Sequence, residues 1–176
     1  MSATLSPFNS YRESCGLDKE SVTIAQAQTP WRDDAYDVAI DCRIDTRLSK
    51  RKSHYETTAL TIVELIQHNA GEPIAVFFAS YLYAENIQAY IEAIAPEIRI
   101  KRQPRGVDLA EQSTFINEGL LIADALFLIL GSSYAEGIDQ LGGRVEQIMV
   151  VGPALPEVNL LQKKKMEDHL SLSQDE

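Results

Sequence analysis

Cysteine is scarce. Cys15 and Cys42 are the only two in 176 residues, too few for a disulfide framework or a four-cysteine metal or iron–sulfur site, and their number suits a reducing cytosol. Both are expected as small packing residues. The three histidines, His54, His68 and His169, are scattered without an H-x-x-x-H or C-x-x-C spacing, so no metal site is expected. No run approaches the ~18 apolar residues of a membrane span. The start, M-S-A-T-L-S-P-F, lacks the basic and apolar regions of a secretion signal. The expected location is therefore cytoplasmic, with no membrane contact. Positive charge is also in short supply: 16 Lys and Arg stand against 26 Asp and Glu, a net charge of -10. That balance excludes a surface that attracts phosphate backbones all over, and leaves room only for local nucleic-acid contact.

Phosphate-binding signatures are missing as well. A P-loop needs G-x-x-x-x-G-K-[ST], because its lysine and hydroxyl reach the terminal phosphates and magnesium. In G-S-S-Y-A-E-G-I-D-Q-L-G-G (131–143) the glycines Gly131 and Gly137 stand one residue too far apart, and Ile138-Asp139 replaces the Lys-Ser/Thr pair. The G-x-G-x-x-G dinucleotide fingerprint does not occur either, nor does a G-x-S-x-G nucleophile elbow. Glu136 and Asp139 are two carboxylates on one loop, but on spacing alone they read as solvated or helix-capping groups rather than an acid/base pair.

What is present is an ordinary globular balance, 45% hydrophobic and 24% charged, enough for one domain with a core. Ser6-Pro7 and Gly16 bracket a short helix over 7–15. V-T-I-A-Q-A-Q (22–28) and Y-D-V-A-I-D-C (36–42) read as strands. Tyr55, Ala59, Ile62, Val63 and Ile66 form an amphipathic stripe, predicting a helix from 53 to about 69. The continuous apolar run P-I-A-V-F-F-A-S (73–80) is that of a strand buried on both faces. A helix over 82–94 with Ile87, Tyr90, Ile91 and Ile94 on one face follows, then a strand at 98–102, helix across 108–123, and strands at 125–130 and 145–151. Strands alternating with helices predict an α/β fold with a mainly parallel sheet. Its ligand crevice lies where loops leave the carboxyl ends of strands, here Ser80-Tyr81, Gly131 to Gly143 and Gly152-Pro153. Two basic clusters, Lys50-Arg51-Lys52 and Arg99-Lys101-Arg102-Arg105, are either solvated faces or local nucleic-acid contacts. No catalytic set is complete in these residues.

S-A-T-L (2–5), F-F-A-S-Y (77–81) and Y-A-E-G-I-D (134–139) occur in this order, and the combination resembles the XPD/DinG group of superfamily 2 ATP-dependent DNA helicases. There S-A-T-L is similar to motif III, F-F-A-S-Y to motif IV and E-G-I-D to motif V. The flanking D-T-R-L-S-K-R and G-G-R-V-E-Q-I-M-V-V-G-P-A-L-P-E-V-N are similar to that family's connecting segments. The resemblance implies a RecA-like three-layer domain with a mainly parallel central sheet flanked by helices. Residues 1–160 would be most of the second motor domain, beginning at motif III of the preceding one, and 161–176 a truncated helix and polar tail.

By the same resemblance, Ser80, Tyr81, Gly131, Ser132 and Arg102 would touch single-stranded DNA. Ser2, Thr4, Glu136, Gly137 and Asp139 would face the nucleotide cleft and couple it to the strand. The implied partners are single-stranded DNA and the first motor domain; ATP and Mg belong to the intact enzyme, with none expected tightly bound to this chain. The Walker A lysine, the D-E-A-H box and the arginine finger of a Q-x-x-G-R-x-x-R segment are missing, and no arginine follows Arg144. The chain is therefore expected to be a fragment or truncated product without ATPase activity of its own. The alternative is a stand-alone, non-catalytic module that uses the α/β scaffold to bind a protein or nucleic acid, and a small-molecule-binding α/β protein is a third reading.

Overall fold

A computed structural model describes residues 8–17, 22–25, 35–69, 71–106, 108–136, 140–153 and 164. The chain divides into two compact units, 1–40 and 41–176.

In the first unit, helix α1 spans Phe8–Ser14, within the expected 7–15. It ends because Gly16 takes a left-handed φ of 65°, which lets Leu17 N–H donate to Arg12 C=O at 3.0 Å and Gly16 N–H to Glu13 C=O at 3.0 Å. This pair of bonds closes the last turn as a Schellman motif. The strand expected over 36–42 does not form, and of the one expected over 22–28 the described residues 22–25 carry no ladder, while 26–28 lie outside the described residues. Tyr36, Val38 and Ile40 alternate as a half-buried strand would, yet they are exposed. Alternation makes a strand only where an edge and a face receive it. The cysteines are corrected too: Cys15, just beyond α1, and Cys42, in the turn at 41–43, are exposed rather than packed.

The second unit is built on a four-stranded sheet, β1 (Ile74–Phe78), β2 (Ile100–Arg102), β3 (Ala125–Ile129) and β4 (Ile148–Val151), in the order β2-β3-β1-β4. Every pairing is parallel. The two central strands are the continuous apolar runs I-A-V-F-F and A-L-F-L-I, buried at every position. Alternate residues serve opposite faces. Ile74, Val76, Phe78, Ala125, Phe127 and Ile129 pack against α2 (Tyr55–His68) and α3 (Tyr81–Ile94). Ala75, Phe77, Leu126 and Leu128 pack against α4 (Leu109–Ile122) and the short α5 (Ser133–Glu136). Fully burying each large apolar side chain contributes roughly 1.5–3 kcal/mol, so the sheet's two faces hold the layers together.

The helices follow from their stripes and caps. Helix α2 buries Tyr55, Ala59, Ile62 and Val63, and a 3-10 turn at Arg51–His54 leads into it. Helix α3 buries Tyr83, Ala84, Ile87 and Ile91, while Tyr90 and Ile94, expected on that face, are rotated to its border and lie exposed. Tyr90 still meets Tyr55 edge-on, with ring centroids 6.0 Å apart. Helix α4 starts in a capping box: Asp108 Oδ1 accepts the Glu111 N–H at 2.8 Å and Glu111 Oε2 accepts the Asp108 N–H at 3.3 Å, satisfying two otherwise orphaned donors. The segment 154–160 and the tail from 161 lie outside the described residues, apart from Lys164. Among the described residues no helix is long and apolar enough to cross a membrane.

Candidate nucleic-acid interface

Because all four strands run the same way, their carboxyl ends share one edge of the sheet. The order β2-β3-β1 sets side by side the loops that leave these three strands. Ala79-Ser80 leaves β1, Gln103 to Gly106 leaves β2, and Leu130 to Ser132 leaves β3. The Leu130 N–H donates to Phe78 C=O at 2.9 Å, which carries the β1–β3 contact past the end of the ladder.

Gln103 lies at the centre of this edge, 4% exposed. Its N–H continues the β2–β3 ladder by donating to Phe127 C=O at 2.8 Å. The next residue is Pro104, which has no N–H and a fixed φ, so the strand cannot continue. The side chain of Gln103 takes over the next rung, its Oε1 accepting the Ile129 N–H at 2.9 Å. An N–H can only donate, so the atom facing Ile129 must be the amide oxygen and the NH2 must point the other way. It does so onto the Tyr81 hydroxyl, at 2.8 Å. Tyr81 in turn points its own proton at Pro104 C=O, 3.4 Å away. Ser132 Oγ donates to Ile129 C=O at 2.6 Å and stands 3.2 Å from the same Gln103 oxygen.

Outside this buried amide is a groove of about 420 Å³ lined by Tyr81, Glu85, Arg102, Gln103, Pro104 and Arg105. The Arg105 guanidinium lies over the Tyr81 ring, 4.6 Å from its centroid, a cation–π arrangement. Arg102 Nη2 lies 3.6 Å from Glu85 Oε1, with the arginine side chain 32% exposed. Two guanidinium groups against one carboxylate leave the groove locally positive in an otherwise acidic chain. The rest of the second basic cluster is engaged elsewhere: Arg99 pairs with Asp124 at 2.7 Å and Lys101 with Glu118 at 2.9 Å. In the first cluster, Arg51 lies over the Tyr83 ring at 4.7 Å.

The glycine-rich stretch is held at both described ends. Gly131 has φ 71° with open space where a side chain would begin, so it serves the turn and not a close approach. Tyr134 is buried edge-on against Phe115, 5.5 Å between centroids, and burial raises its hydroxyl pKa. Ser133 Oγ accepts a hydrogen bond from Gln112 Nε2 at 2.8 Å. On the far side Leu141 is buried, Gln140 Nε2 donates to Ser113 Oγ at 3.0 Å and Arg144 Nη1 donates to Asn117 Oδ1 at 2.7 Å.

Of the residues singled out in the sequence, Tyr81, Arg102, Gly131 and Ser132 meet along this edge. Ser80 adjoins them, with its Oγ accepting the Tyr83 N–H at 3.3 Å as the cap of α3. Ser2, Thr4, Gly137 and Asp139 lie outside the described residues, and Glu136 is described only as the end of α5. Gln103, Glu85 and Pro104 were not legible as site residues. The signal for Gln103 and Pro104 was a polar residue before proline at the end of a short strand, and Glu85, within α3, has no such signal. Among the described residues no group of three or more His, Cys, Asp or Glu comes together to hold a metal ion.

No protein-family model and no curated protein matches the chain. Among solved structures, the "Structure of S. tokodaii Xpd4" matches with a TM-score of 0.54 at 15% sequence identity, covering 97% of this chain and 36% of that one. The likeness is one of fold, and this chain spans little more than a third of that protein's length. The expected fold class holds: a RecA-like α/β domain with a parallel sheet between two helical layers.

Proposed function

We propose that this chain is the second motor domain of an ATP-dependent DNA helicase and that the groove at the ends of β1 and β2 grips single-stranded DNA. The observation that carries the reading is the Tyr81–Arg105 stack beside Arg102. An aromatic face topped by a guanidinium offers a base a sequence-tolerant stacking platform, worth ~1–3 kcal/mol per base. The neighbouring Arg102, with its side chain partly exposed, supplies a bidentate partner for a phosphate. Such a site binds locally, as a chain of net charge -10 requires. In the intact helicase, the XPD/DinG resemblance gives this domain the role of a moving grip. The cleft roles of Ser2, Thr4, Glu136, Gly137 and Asp139 rest on that resemblance.

Fluorescence anisotropy of a labelled oligothymidylate with the 176-residue chain tests the grip. Tyr81→Ala is expected to weaken binding about 5- to 150-fold, the loss of one stacked base. Arg102→Glu and Arg105→Glu should each weaken it too, and Arg102→Glu should flatten the dependence of log K on log salt by about 0.7 for a lost phosphate contact. Binding and salt slope unchanged in all three variants would overturn the reading.

A further inference from the structure

We propose that Gln103 is a positioning residue that couples the Tyr81–Arg105 face of the groove to the Gly131–Ser133 turn. One planar amide joins the two: its NH2 holds the Tyr81 hydroxyl at 2.8 Å and its oxygen holds the Ile129 N–H at 2.9 Å, with Ser132 Oγ 3.2 Å from that oxygen. Gln103 is buried, so water is a poor substitute for either partner. Its two ends cannot move independently. A shift of the Tyr81 ring that carries the hydroxyl away either drags the amide, and with it the Ile129 rung, or leaves a buried donor unpaired. Ile129 is the last residue of β3, and the turn at Gly131 starts two residues later. Ser132 returns to the same place, donating through Oγ to Ile129 C=O at 2.6 Å. The Gly131–Ser133 turn therefore hangs from the rung that Gln103 closes. A contact made on the outside of the groove at Tyr81 or Arg105 is transmitted to the glycine-rich loop through this amide, over a sequence separation that no local motif spans.

The test uses the whole 176-residue chain labelled for NMR. Tyr81→Phe removes the hydroxyl and keeps the ring, and it is expected to shift the amide resonances of Ile129 and Ser132. In a Gln103→Met background, where the side chain has similar length and no amide, the same Tyr81→Phe change should leave those two resonances in place. Equal shifts in both backgrounds, or none in either, overturn the coupling. If Gln103→Met does not fold, a scalar coupling across the hydrogen bond from Ile129 N–H to the Gln103 side-chain carbonyl decides: it is expected in the unaltered chain and expected to change in Tyr81→Phe, and its absence or constancy overturns the proposal. A third arm rests on the nucleic-acid reading above. Adding oligothymidylate should move Ile129 and Ser132 in the unaltered chain and only groove residues in Gln103→Met. If the oligonucleotide moves nothing, the grip fails while the coupling is judged by the first two arms. If it moves Ile129 and Ser132 equally in both chains, the coupling fails while the grip stands.

Discussion

Gly119 of α4 lies so close to Leu126 of β3 that a Cβ built on it would collide with Leu126 Cδ2. The helix sits directly on the sheet at this point, and Leu126 has no room to withdraw because it is fully buried in the central strand. Two effects oppose each other when Gly119 is changed. Replacing a mid-helix glycine with alanine gains ~1 kcal/mol of helix propensity. Forcing a methyl into a packed core costs typically ~1–3 kcal/mol. Steric cost wins, so Gly119→Ala is expected to lower stability by about 1 kcal/mol in urea denaturation, and Gly119→Val by more, because a β-branched side chain adds volume without recovering the full propensity gain. A Gly119→Ala chain more stable than the parent would show that α4 stands further from the sheet.

The loop that opens the second unit carries two matched ion pairs. Asp41 accepts from Arg43 N–H and Nε at 2.9 Å each and pairs with Nη2 at 2.8 Å, and Asp45 is bound by Arg47 in the same i, i+2 pattern. Hydrogen bonds from the arginine side chain come first among the causes that lower both carboxyls from the ordinary 3.8 to about 2. The lowered folded-state pKa fixes the sign: these pairs contribute stability that is complete above pH 3.8 and lost as pH falls toward 2. The carboxylates are half-buried at the surface and their arginines are exposed, so the contribution is small and weakened by salt. A carbon-detected NMR titration of the two carboxyls is expected to give midpoints well below 3.8, and the ordinary value for both would remove the pairs.

The central sheet could be read from the sequence because β1 and β3 are buried on both faces, and a short unbroken apolar run with turn residues around it has few other uses. The stripe of α2 was legible for a similar reason. The misreadings occur where the outcome depends on something distant. Tyr36, Val38 and Ile40 have the alternation of a strand, but pattern alone does not supply a neighbouring edge. Tyr90 and Ile94 belong to the apolar stripe by period, yet α3 turns toward Tyr83 and Ala84 because Tyr83 has Phe78 and Tyr55 to stack on, at 5.6 and 5.4 Å. Four positively charged residues at 99–105 looked alike in sequence. Asp124, 25 residues from Arg99, and Glu118, 17 from Lys101, hold two of them, leaving Arg102 and Arg105 for the groove. Gln103 was the least legible, since its role follows from the β2–β3 register and from Pro104 ending one strand before the other.

The chain is expected not to hydrolyse ATP by itself. Phosphoryl transfer in P-loop motors depends on a lysine that cradles the phosphates and on an arginine finger, the latter alone contributing ~10³–10⁵ in rate. No G-K-[ST] occurs in the sequence and no arginine follows Arg144. Among the strand-end groups that are described, Ser132 Oγ is bonded to Ile129 C=O, while Arg102 and Arg105 line the groove beside Tyr81. A radiolabelled ATP assay with single-stranded DNA present is therefore expected to show no turnover above a Tyr81→Ala control purified in parallel, which separates the chain's own activity from a contaminating ATPase. DNA-stimulated hydrolysis that disappears in that control would mean that this domain holds a nucleotide site of a different kind, and the cleft roles given to Glu136, Gly137 and Asp139 by the resemblance would fall with it.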